Sequence, residues 1–90
     1  MTARPALIRI PRAFFDDHAE RDLPTPVIQK TERYHYRIRA DDPALDELVS
    51  DARHYAEGGI DTHAFPHLFG LVASARATLH AIRKSQETSA

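Results

Sequence analysis

VIQKTERYHYRIRA, residues 27–40, is the stretch on which the fold turns. Ile28, Tyr34, Tyr36 and Ile38 occupy even positions, and Thr31, Arg33, His35, Arg37 and Arg39 occupy odd ones. Successive side chains of a strand point to opposite faces, so this period of two gives one apolar face and one basic face. The pattern predicts a half-buried antiparallel strand, or a hairpin bent near Thr31-Glu32. It also assigns Tyr34 and Tyr36 to the buried face beside Ile28 and Ile38, with their hydroxyls reaching its edge.

Upstream, Ala6-Leu7-Ile8-Arg9-Ile10 is short, β-branched and stopped by Pro11. It predicts a strand over 6–10 whose Ile8 and Ile10 share the apolar face of the 27–40 segment. Residues 12–23 place Phe15, Ala19 and Leu23 four apart between Pro11 and Pro24, which predicts a short helix. Pro24-Thr25-Pro26 then enforces an extended connection.

Downstream, Asp41-Asp42-Pro43 opens a helix over 43–57, with Asp42 as N-cap and Pro43 at the first helical position. Its apolar stripe is Leu45, Leu48, Val49, Ala52, Tyr55 and Ala56, and Gly58-Gly59 supplies the stop. After a linker, a last helix over 66–84 carries Leu68, Leu71, Val72, Ala75, Leu79 and Ile82 on its core side. Residues 85–90 read as a frayed tail. The expected architecture is one α+β domain spanning 1–90: a small antiparallel sheet of two or three strands, two or three helices on one face, order β-α-β(β)-α-α.

A chain of 90 residues has room for one core. It contains no Cys, which removes disulfides, thiolate metal ligands and thiol nucleophiles and suits a reducing compartment. Met1-Thr2-Ala3-Arg4-Pro5 has no apolar h-region, and no apolar run is long enough to span a bilayer, so the expectation is a cytoplasmic protein with no membrane partner. The net charge of −1 conceals alternating blocks. Residues 1–12, 25–40 and 62–90 are net positive, whereas 13–24 and 41–61 are net negative. Such a dipolar surface favours oriented association with a charged partner.

Three surfaces hold residues with chemical potential. The last helix carries Gly70, Ala73, Ser74, Ala77 and Ala81 opposite its core stripe, a smooth ridge where a second copy of the chain would approach at close range, so a homodimer is expected. The basic strand face of Arg33, His35, Arg37 and Arg39 suits a protein partner, or a phosphate backbone as the second choice. The cluster Asp16-Asp17-His18-Ala19-Glu20-Arg21-Asp22 reads as a solvated helix face with an Asp17–Arg21 pair one turn apart.

The 6 His invite a metal reading. His63 and His67 have helical ligand spacing, but Pro66 falls inside the interval and no Glu follows His63, so they read as loop residues. His18, His35, His54 and His80 read as surface residues. No catalytic residue, metal or cofactor is assigned, because the chain has no G-x-S-x-G and no Walker loop.

The segment Phe14 to Pro26, FFDDHAERDLPTP, followed by the Tyr/His/Arg-rich strand and by DDPALDELVSDARHYA at 41–56, resembles a class of small proteins of actinobacteria and their bacteriophages. The resemblance covers residues 8–57 and implies a phage or prophage accessory context, with no activity or site residue attached. Together these features point to a small non-enzymatic protein that docks on another protein and self-associates, with a nucleic-acid-binding regulator as the alternative.

Overall fold

The computed structural model describes residues 6–88, Thr88 by its backbone alone. The order is β1 (Leu7–Pro11), α1 (Arg12–Glu20), β2 (Ile28–Thr31), β3 (His35–Arg39), α2 (Leu45–Glu57), a 3-10 turn (Pro66–Leu68) and α3 (Phe69–Thr88). The strands form one antiparallel sheet in the order β1-β3-β2, with Ile8 opposite Ile38 and Ile10 opposite Tyr36. These four side chains share a face and are buried there with Phe14 and Phe15 of α1, Leu45, Leu48 and Ala52 of α2, and Ala75, Leu79 and Ile82 of α3. The chain is α+β as expected, with helices on one face of the sheet.

Residues 27–40 form a hairpin, and its turn comes later than Thr31-Glu32. The Glu32 N–H donates to the His35 carbonyl at 2.8 Å, which closes a two-residue loop of Arg33 and Tyr34. A two-residue loop sets Thr31 opposite Tyr36 and Lys30 opposite Arg37, which exchanges the even and odd faces, and the irregularity between Ile28 and Lys30 exchanges them back, so Ile28 lies opposite Ile38 and alternation alone conceals where the chain reverses. Tyr36 is buried as expected, but Tyr34 sits at the tip and is 66% exposed. Arg12 holds this tip to the start of α1: its backbone N–H donates to the Tyr34 carbonyl at 3.0 Å, and its Nη1 donates to the carbonyls of Glu32 and Arg33.

Four element boundaries differ from expectation for local reasons. The first strand begins at Leu7 and runs through Pro11. The first helix ends at Glu20 rather than 23, because Asp22 takes a left-handed backbone (φ 60) and turns the chain out of the helix. The second begins at Leu45 rather than Pro43, and its N-cap is Ala44. Asp42 instead accepts the Ala44 N–H on Oδ1 and the Val27 N–H on Oδ2, both at 2.9 Å, so the expected cap residue anchors the entry to β2 as well. Pro66 opens a 3-10 turn, and α3 continues to Thr88, so residues 85–88 of the expected tail are helical; Ser89 and Ala90 lie outside the described residues. At the end of α2, Gly59 has φ 77, a conformation that glycine adopts without steric cost.

The N-cap residue of α1 is Pro11, which has no side-chain acceptor. Ser74 of α3 supplies one: the Phe14 N–H donates to Ser74 Oγ at 2.9 Å in a buried position. The Ser74 carbonyl in turn accepts the buried Thr78 hydroxyl at 2.9 Å. One helix therefore caps another. Ser74→Ala leaves the Phe14 N–H without its acceptor, with an expected loss of about 1–2 kcal/mol. Urea denaturation checks this as a lower midpoint at unchanged slope.

Candidate functional site

Of the expected surfaces, the basic strand face is the one that stays open. With Ile8, Ile10, Tyr36 and Ile38 turned into the core, alternation places Leu7, Arg9, His35, Arg37 and Arg39 on the opposite side of the sheet. Lys30 of β2 lies opposite Arg37. Leu7 is 46% exposed. Arg33 is in the hairpin turn, with its guanidinium 5.1 Å from the centre of the exposed Tyr34 ring.

Carboxylates organise this face. Arg9 and Arg37 both donate through Nε to Glu32 Oε1, at 3.2 and 3.3 Å. Arg39 grips Asp41 with two bonds of 2.8 Å. The hydrogen bond from Arg37 holds the Glu32 carboxyl below its ordinary value against a smaller opposing effect of burial, with Arg9 adding to it. Arg39 does the same for Asp41. Because Arg9 and Arg37 engage Glu32 only through Nε among the described residues, their terminal NH2 groups remain as donors for an incoming carboxylate or phosphate.

The small-residue ridge is divided. Gly70, Ala73 and Ala77 are exposed, Ala81 is half-buried against the core, and Ser74 is turned inward to cap α1. The expectation that Ser74 belongs to an outward face is therefore corrected. A small hydroxyl residue at that position lets α1 and α3 approach closely and meets the need of the Phe14 N–H.

His18 is a second correction. Expected on a solvated face, it is 0% exposed. Its Nδ1 lies 2.7 Å from Asp51 Oδ2 and its Nε2 lies 2.8 Å from the Pro24 carbonyl. Arg21 closes the group by donating from Nη1 to Asp51 Oδ1 at 2.9 Å, from Nη2 to Asp51 Oδ2, and from Nε to Asp17 at 3.0 Å. Its guanidinium also lies 5.2 Å from the centre of the Tyr55 ring.

Burial works to push the Asp51 carboxyl up, but the hydrogen bonds from Arg21 and His18 outweigh it and leave the group below its ordinary value. Asp51 is thus a carboxylate, and the Pro24 oxygen carries no hydrogen. Both His18 nitrogens are therefore engaged, Nδ1 with the Asp51 carboxylate and Nε2 with the Pro24 carbonyl. A general base needs a free nitrogen within reach of substrate. Both nitrogens of His18 are occupied, so this cluster joins α1, α2 and the connection to β2 rather than presenting a reactive group.

Sequence reasoning missed this node because its three parts come from positions 18–24 and 51. The one sequence signal was Asp51 itself, the acidic residue adjoining the apolar stripe of α2. His63 and His67 are exposed in the loop before α3, where Asp61 Oδ1 accepts the N–H groups of His63 and Ala64. Among the described residues no group of three or more His, Cys, Asp or Glu converges on a metal position, and no helix is long and apolar enough to cross a membrane. Comparison with protein-family models, with curated proteins and with solved structures finds no match for the chain.

Proposed function

We propose that this protein is a small non-enzymatic interaction module that docks an acidic protein partner on the uncovered face of its sheet, acting in the cytoplasm as an accessory factor. The observation that carries the reading is the one-sided sheet, whose open face sets Leu7 among Arg9, Lys30, Arg37 and Arg39. Depth of charge is modest there, because Glu32 and Asp41 answer part of it, so the face offers oriented guanidinium donors more than a broad positive field. The resemblance over residues 8–57 suits a phage-encoded factor acting on a host protein. A second copy of the chain is a further partner, met along exposed Gly70, Ala73 and Ala77; the mass from light scattering decides between monomer and dimer.

A nucleic-acid-binding role is the second reading, favoured by the Arg33–Tyr34 stack at the hairpin tip beside Lys30. One experiment separates the two. Tagged protein and its Arg37→Glu/Arg39→Glu variant are used to capture partners from lysate before and after nuclease treatment. Loss of capture in the variant, with wild-type capture resistant to nuclease, supports the protein-docking reading. Capture that nuclease abolishes supports the nucleic-acid reading, and capture unchanged in the variant removes both.

A further inference from the structure

We infer that β1 receives an added strand: an extended segment of the partner, with carboxylates at alternate residues and small apolar residues between them, pairs antiparallel along the edge of β1 that no other strand among the described residues occupies. This inference rests on the docking role proposed above and names how the partner is held. The ladder sets which backbone groups are open. The Arg12 N–H donates to the Tyr34 carbonyl and the Ala40 N–H donates to the Ala6 carbonyl, both at 3.0 Å. In this register even-numbered residues of β1 bond to β3, so the N–H and C=O of Leu7 and Arg9 and the C=O of Pro11 point away from the sheet. Pro11 is tolerated in the strand because the N–H it lacks would have faced this edge.

The two edges of the sheet are not equivalent. Along β2 the ladder is broken by an irregularity between Ile28 and Lys30, the Val27 N–H is taken by Asp42, and Lys30 stands on the strand. A bulge and a lysine are devices that discourage edge pairing. β1 is regular over its five residues and has no bulge; its own guards, the charge of Arg9 and Pro11 at its end, leave the outward N–H groups of Leu7 and Arg9 in place. Beside this edge runs a groove of about 330 Å³, lined by Ala6 to Arg9 on one wall and by Ala81, Lys84 and Ser85 of α3 on the other. The groove takes the small apolar side chains of an added strand, and Arg9 on the open face meets its carboxylates. A second copy of β1 fits poorly, because it would bring Arg9 to a strand whose own charge is Arg9.

The test uses the full chain labelled with ¹⁵N and a blocked peptide of alternating Val and Glu, seven residues long. Binding is expected to move the Leu7 and Arg9 amide resonances and to slow their hydrogen exchange about tenfold or more at saturation. Leu7→Pro removes an outward N–H and no bond to β3, as Pro11 already does, and is expected to weaken binding about tenfold, whereas Leu7→Ala leaves it nearly unchanged. Should Leu7→Pro unfold, the same peptide with N-methyl groups on the amides facing β1 provides the measurement, and it is expected not to bind.

Unmoved Leu7 and Arg9 amides at about 1 mM peptide overturn the inference. If the shifts are instead confined to His35, Arg37 and Arg39, strand addition fails while docking on the open face stands. A Val/Lys peptide that binds equally well overturns the acidic partner, and a dimer that Leu7→Pro converts to monomer overturns it in favour of a second copy.

Discussion

Asp51→Ala lowers the unfolding free energy by about 3 kcal/mol at neutral pH. Breaking a buried ion pair from one side typically costs about 3–5 kcal/mol, because the surviving charge keeps its desolvation penalty. Here His18, which is 0% exposed, loses its partner at Nδ1, and Arg21 is the charge left behind. Arg21, whose side chain is 36% exposed, recovers much of its hydration, and this places the loss at the lower end of the range. Against a total stability of roughly 5–15 kcal/mol, such a loss is large for one domain of this size.

The same residue sets an acid limit. The Asp51 carboxyl lies lower in the folded chain than its ordinary value, so its contribution is complete above about pH 4 and disappears as pH falls through its folded value. Urea unfolding at neutral pH and at about pH 3 therefore gives a wild type that loses more stability on acidification than Asp51→Ala does, and the two converge in acid. The depressed carboxyls of Glu32, Asp41 and Glu57 are common to both proteins and cancel in the comparison. Equal acid sensitivity would show that Asp51 is not the group responsible.

Phe14→Ala is the second change of this size, with an expected cost of about 3–5 kcal/mol from lost burial and the cavity left behind. The ring is fully buried where all three helices meet. It lies edge-on to Tyr55 of α2, with centroids 6.1 Å apart, and tilted to His18 at 6.1 Å. Cavity formation here also loosens the Phe14 backbone that Ser74 holds. For a domain of this length the expected fall in Tm is about 15 °C or more, read by thermal unfolding in circular dichroism. Phe14→Leu keeps most of the volume and should lose only a fraction of this.

What could be read in advance follows from the range of the forces involved. The sheet and the stripes of α2 and α3 were visible because burial alternates or repeats along neighbouring residues, and Ile8, Ile38, Leu48 and Ile82 obey that repeat. The basic strand face was visible for the same reason. The hairpin tip was not, since the exchange of parity at Arg33-Tyr34 is undone by the irregularity between Ile28 and Lys30. The end of α1 was hidden because Asp22 adopts a backbone conformation that aspartate visits seldom. His18 and Ser74 were misplaced because their partners, Asp51 and Phe14, are far away in sequence, and a local polar pattern resembles a solvated surface.

The cap that Ser74 places on α1 spans 60 residues of chain. During synthesis, the start of the first helix waits for its last acceptor until the first turns of the last helix have left the ribosome. The same late arrival brings Ala75, Leu79 and Ile82 to the core, so the sheet and first helix have no complete interior before then. Folding consequently waits for the last helix rather than belonging to the N-terminal half alone, and until that moment the apolar face of the sheet is available to chaperones.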